Sequence, residues 1–112
     1  MASTLIQDEN TRHCIDACVE CAQAAEVCAR QCIEAGDPQM ADCIKLCLDC
    51  SAIALLCVSL LARGSADAGR LCEVCADICE RCAEECERFD DEVMRACAQA
   101  CRAAAEACRQ LA

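Results

Sequence analysis

The sequence predicts an all-α protein, an antiparallel up-down four-helix bundle with a cysteine-lined core. Three observations predict it. The 112 residues include only three Gly and one Pro, and these breakers cluster at a few places. The segments between them are rich in Ala, Glu, Arg and Leu, which favour helix. Within each segment Cys and apolar residues recur at steps of three and four, the period of a bundle seam. Short connections then make consecutive helices antiparallel neighbours.

The first helix is expected over roughly residues 4–35, with Thr4 and Gln7 resembling a capping box. Gly36-Asp37-Pro38 ends it and opens the second, roughly 38–63, with Asp37 as N-cap and Pro38 at the first helical position. The run GSADAG at 64–69 makes the next break, and Ser65 or Asp67 can cap a third helix over roughly 67–88. Phe89-Asp90-Asp91 makes the last, with Asp90 as cap of a helix over roughly 91–111. Residues 1–112 have the length of one domain.

Seventeen residues are Cys, against one Phe and no Trp or Tyr. Aromatic side chains usually dominate a core, so something else fills this one. The formal net charge of −10 excludes nucleic-acid and anionic-membrane binding, which need basic patches. Residues 1–9 (MASTLIQDE) lack the basic start and apolar run of a secretory signal. No apolar stretch is read as long enough to span a membrane. A cytoplasmic protein is expected.

The cysteines lie on one seam per helix. The first helix carries Cys14, Cys18, Cys21, Cys28 and Cys32, completed by Ala25. The second runs through Met40, Cys43, Cys47, Cys50, Ala54, Cys57 and Leu61. The third has Cys72, Cys75, Cys79, Cys82 and Cys86, and the fourth Met94, Cys97, Cys101, Ala104, Cys108 and Leu111. All seventeen cysteines therefore face inward, where a bundle normally places Leu.

As mere filler, thiols would forfeit most of the usual apolar burial. A disulfide scaffold is opposed by the odd count, and by Cβ atoms at i and i+4 about 5–6 Å apart where a disulfide needs about 3.5–4.5 Å. Metal suits the spacing better, because two thiolates sharing one ion stand about 4–4.6 Å apart for a metal–sulfur bond near 2.3 Å. Pairs 14/18, 28/32, 43/47, 75/79, 82/86 and 97/101 then read as bidentate sites on single helices.

Soft thiolates select Cu(I), Zn(II) or iron–sulfur clusters. Replacing a thiol proton by Cu(I) leaves the charge unchanged. A zinc ion held by four thiolates instead buries net negative charge, and no Lys, Arg or His lies on the seam to offset it. Iron–sulfur clusters are wrapped by short Cys runs in loops, whereas CxxC here is embedded in helical seams. The leading expectation is many Cu(I) ions, on the order of one per thiol. A zinc or mixed soft-metal buffer is the alternative, and an iron–sulfur or thiol-redox protein a distant one. No nucleophile–base arrangement accompanies the thiols, so no enzyme is expected.

Residues 13–32 (HCIDACVECAQAAEVCARQC), 43–50 (CIKLCLDC) and 72–86 (CEVCADICERCAEEC) resemble the bacterial copper storage proteins, in particular their cytosolic branch. The resemblance covers nearly the whole chain. It implies a four-helix bundle that stores many Cu(I) ions along its axis and assembles as a homotetramer. A copper chaperone is a candidate partner, as donor or acceptor. The family commonly places His and Met at an open end of the bundle. Met40 and Met94 occupy that end here and are candidate ligands, while Phe89-Asp90-Asp91 replaces the family's imidazoles. His13, next to Cys14 but off the seam, is a further candidate at the opposite end. Beyond its seam the second helix is apolar, through Ile44, Leu48, Ile53, Leu55, Leu56, Val58 and Leu60, and this face predicts a subunit interface. The charged outer face of the third, including Glu73, Asp77, Glu80 and Arg81, reads as solvated.

Overall fold

The computed structural model describes residues 8–112, so the Thr4–Gln7 capping box lies outside the described residues. Helix α1 spans Glu9–Ala35, α2 Ala41–Ala62, α3 Ala68–Cys86 and α4 Glu92–Leu111, with a short 3-10 turn at Pro38–Met40 ahead of α2. Among the described residues there is no strand. Each helix packs on two neighbours: α1 and α3 both lie between α2 and α4. The result is an elongated four-cornered bundle about 50 Å long.

The helix boundaries follow from their caps. Asp8 is extended and accepts hydrogen bonds from the Thr11 backbone N–H (2.8 Å) and hydroxyl (3.0 Å), so α1 begins at Glu9. It ends where Gly36 takes φ 68° and its N–H returns to the Cys32 carbonyl, a left-handed cap that only glycine adopts cheaply. Asp37 accepts from the Gln39 N–H at 2.9 Å, as expected, but what it caps is the 3-10 turn. Ser65 Oγ accepts from the Asp67 N–H at 3.1 Å, and α3 follows with Asp67 as its first flanking residue. The cap of α4 is Asp91 rather than the expected Asp90. Its carboxylate accepts from the Met94 N–H at 2.9 Å, while Asp90 turns outward to pair with Arg95 at 2.6 Å. One residue of register decides which carboxylate can reach back into the first turn.

The core consists of sulfur and alanine. All seventeen cysteines are buried and free, packed among residues such as Ala25, Ala54, Ala76 and Ala104. Leu60 and Leu61 close the end where α2 stops, so Leu60 belongs to the core and not to the outer apolar face expected for it. At that same end Gly69 lies so close to the Leu111 carbonyl that a Cβ would meet it at 3.3 Å.

One helical stretch among the described residues, Pro38–Ala62, is long and apolar enough by composition to cross a membrane. This corrects the expectation that none reaches that length. Its cysteines raise its hydropathy, yet they face the sulfur core. Along the opposite seam, Arg102 grips Glu87 (2.6 and 2.9 Å) and Arg109 reaches Glu80 (2.8 Å), joining α3 to α4. These pairs are exposed, and such pairs contribute little stability.

Candidate metal centre

The four seams converge on one axis, and the sulfurs meet mostly between helices. Toward the start of α1, Cys108 Sγ lies 3.6 Å from Cys14 and 3.7 Å from Cys18. Midway, Cys21 and Cys50 approach to 3.3 Å, Cys50 and Cys79 to 3.4 Å, and Cys101 lies 3.7 Å from both Cys21 and Cys50. Toward the other end stand two quartets, Cys28, Cys43, Cys47, Cys86 and Cys47, Cys82, Cys86, Cys97, which share two members. The remaining groups of sulfurs are Cys14, Cys18, Cys108, then Cys21, Cys50, Cys79, then Cys50, Cys82, Cys101. Within each group every sulfur lies within 4.8 Å of the others. Shared members link the middle groups to the quartets.

Single-helix pairs contribute less than their spacing suggests. Cys75 and Cys79 (3.8 Å) and Cys97 and Cys101 (3.9 Å) do touch. Pairs 14/18, 43/47 and 82/86 fall within the groups, whereas 28/32 does not. Residues four apart on a helix splay outward, while facing seams point at one another. Cys32, Cys57, Cys72 and Cys75 lie outside the groups, though all are buried.

Crowded thiols divide their protons unequally. Cys18 is pushed far down, chiefly by hydrogen bonding from Cys108 and then Cys14, while bonds to Cys14 and Cys18 push Cys108 up. Hydrogen bonding from Cys28 lowers Cys43, and bonds to Cys28 and Cys43 raise Cys86. At the two ends burial is the main cause: Cys32 and Cys72 are each pushed up to about 11.

Met94 is the largest fully buried side chain, on the seam at the start of α4, and Met40 is half-buried against the core. Antiparallel topology places both near Cys32 and Cys86, at the ends of α1 and α3. Phe89 packs partly on the core there, with the Arg88 guanidinium 5.5 Å from its ring centroid. His13 is exposed, in a surface groove with Asp16 and Gln99, and belongs to none of the sulfur groups. One contact at the methionine end was not read from the sequence. Gln31 Nε2 donates to both Asp91 oxygens, at 2.9 and 3.0 Å, tying α1 to the start of α4. Gln31 lies one turn and two turns beyond Val27 and Ala24 on the side of α1 that meets α4, and only that packing reveals its partner.

Four helices around a buried column of free thiols, without seam cations, define a thiolate metal-binding bundle of high capacity. Comparison with known proteins specifies it further: residues 7–112 match the family model of the copper storage proteins, and the chain belongs to that family. Cu(I)-bound copper storage protein BsCsp3 is 36% identical, with a TM-score of 0.86 over 93% of this chain and 99% of that one. Apo-Csp3 from Bacillus subtilis is 37% identical, with a TM-score of 0.84 over 90% of this chain and 97% of that one. A cytosolic copper storage protein from Streptomyces lividans, loaded with five coppers, is 33% identical, with a TM-score of 0.83 over 92% of each chain. The curated proteins contain no match.

Proposed function

We propose that this chain stores Cu(I) as a multinuclear thiolate array along the bundle axis. The observation that carries the reading is the column of buried sulfurs with interhelical contacts of 3.3–4.0 Å. Small rotamer changes bring such pairs to the separation spanned by one soft ion. Each Cu(I) replaces one proton, so the dry core stays neutral, whereas tetrathiolate zinc would leave buried charge uncompensated. The ligands are the seventeen cysteines, holding on the order of one ion per thiol.

Met94 and Met40 supply thioether sulfur where copper enters, at the end holding Cys32 and Cys86. His13, exposed on the flank of α1, takes no part in the core array. The role is storage without catalysis, as nothing beside the thiols offers a general base. The cytosolic Streptomyces relative supports a cytosolic location, where a copper chaperone would serve as donor or acceptor. Leu48, Leu55 and Leu56 of α2 are exposed, as are Val19 and Ile33 of α1 and Val74 of α3. That face is the contact through which copies assemble into a homotetramer.

Anaerobic titration of the reduced metal-free protein with Cu(I), in competition with a strong chelator, tests storage. Tight saturation near the thiol count is expected, and saturation at about one to four ions would overturn it. Stopped-flow loading tests the methionines. Met40→Ala with Met94→Ala should slow uptake while leaving capacity almost unchanged; an unaltered rate removes them from the entry route.

A further inference from the structure

Two of the four seams lose their sulfur at one level of the bundle. Ala54 stands between Cys50 and Cys57 on α2, and Ala104 between Cys101 and Cys108 on α4; both alanines are completely buried. Cys50 touches Cys101 at 3.7 Å on one side of this pair, and Cys57 meets Cys108 on the other. Alanine offers no ligand atom, and seven residues of helix carry the next sulfur about 10 Å along the axis. Two thiolates that share an ion stand about 4–4.6 Å apart, so neither α2 nor α4 can pass an ion along its own seam here.

The alanine level divides the column. Toward the start of α1, Cys14, Cys18 and Cys108 form one group. Hydrogen bonding from Cys108 and then Cys75 lowers the Cys57 pKa, and burial and then Cys57 raise that of Cys72, so these six sulfurs belong together. The other eleven lie on the methionine side, where shared members join the groups. On α1, Cys18 contacts Cys108 while Cys21 contacts Cys50 and Cys101, and no group holds both. On α3 the seam is unbroken, and Cys75 Sγ lies 3.8 Å from Cys79 Sγ. Among the described residues, this is the one sulfur–sulfur hydrogen bond that crosses the level. Cys75 meets Cys108, Cys18 and Cys57 on one side and Cys79 on the other.

We propose that the array is two stores in series, and that the Cys75–Cys79 pair is the relay through which Cu(I) passes from the eleven-sulfur store at the methionine end to the six-sulfur store behind it. The relay rests on the copper storage and methionine-end loading proposed above. Leu60 and Leu61 are buried at the far end of the bundle, which leaves the larger store as the supply of the smaller. The transfer balances without an oxidant or reductant. A bond from Cu(I) to Cys75 Sγ forms, the bond from Cu(I) to Cys79 Sγ breaks, and the proton displaced from Cys75 passes to Cys79. Copper remains Cu(I) throughout.

Stopped-flow loading of the reduced metal-free chain with Cu(I), followed by thiolate-to-copper absorption, tests the relay. About eleven ions should enter in a fast phase and about six in a slow one. Cys75→Ser keeps the volume but removes the soft donor, and should slow the second phase about tenfold while leaving the first unchanged. Cys72→Ser takes a sulfur from the same store but not from the relay, and should cost about one ion at an unchanged slow rate. Ala104→Cys gives α4 an unbroken seam. Alone or added to Cys75→Ser, it should speed the slow phase about tenfold, a rescue that mere damage to the fold does not produce. A single phase, a fast phase of about six ions, or slow rates indifferent to Cys75→Ser and Ala104→Cys overturns the relay. Total capacity reports on storage separately. Saturation at about one to four ions defeats storage itself, whereas full capacity with any of those results defeats the relay alone.

Discussion

The Sγ atoms of Cys21 and Cys50 lie 3.3 Å apart, the shortest sulfur contact in the column, and they come from different helices. Cys50 also touches Cys79 at 3.4 Å and Cys101 at 3.7 Å, so a single sulfur joins all four helices. Cys50→Ala should therefore reduce Cu(I) capacity by about one to two ions and break the column in its middle. The metal-free bundle should lose only about 1 kcal/mol, since one sulfur is removed from a packed site. Copper titration and denaturant unfolding check the two parts. Unchanged capacity would mean that this junction holds no copper.

Acidity gives a second expectation. Cys32 and Cys72 are each held up to about 11, from an ordinary value of 9.0, mainly by burial. A raised folded pKa favours folding while the thiol is protonated. The stability that these two thiols contribute to the metal-free bundle should be fully present below about pH 9 and be lost between about pH 9 and 11. Copper replaces those protons, so the loaded protein should not weaken over that window, and its apparent affinity should rise with pH. Thermal melts of both forms, with proton release followed during loading, test the sign. Loading without proton release would contradict it.

Asp91 both caps α4 and binds Gln31. The backbone N–H of Met94, followed by the Gln31 amide, holds its carboxyl below the usual 3.8. A depressed pKa contributes stability above about pH 4, lost as the pH falls through the folded value. Asp91→Ala should destabilise the protein, because α4 then loses its N-cap. It should also remove that acid dependence, whereas Asp90→Ala should leave it. Urea unfolding at pH 7 and pH 3 compares the two variants.

The exposed face of α2 makes an assembly prediction. Leu48→Glu with Leu55→Glu should reduce the molar mass seen by light scattering to that of a 12.0 kDa chain, because buried charge in an apolar contact is strongly unfavourable. Copper bound per chain should stay the same, since these residues point away from the sulfurs. A loss of capacity would mean that assembly completes the metal sites.

Much of this was legible in the chain. Steps of three and four placed every cysteine on an inward seam, and Gly36 and Pro38 marked a helix end and a new start. Where the reading slipped, the cause was local and geometric. Asp90 and Asp91 are adjacent carboxylates, and only the backbone angle at the start of α4 selects Asp91 as the cap. Leu60 lies among outward apolar residues by sequence, yet in the last turn of α2 it is buried beside Leu61. The apolarity of Pro38–Ala62 combines thiols that face the core with leucines that face outward, and only the packing separates the two faces.

The sequence by itself determined that four helices would each turn a line of sulfur toward a common axis. Periodicity is a property of one helix, and it settles which side of that helix faces inward. Tertiary structure alone decided which sulfurs meet. The contact between Cys21 and Cys50, the quartets that share Cys47 and Cys86, and the tie from Gln31 to Asp91 depend on the axial stagger between helices. That stagger is set by how small and large side chains interlock along the seams, and no single helix carries it.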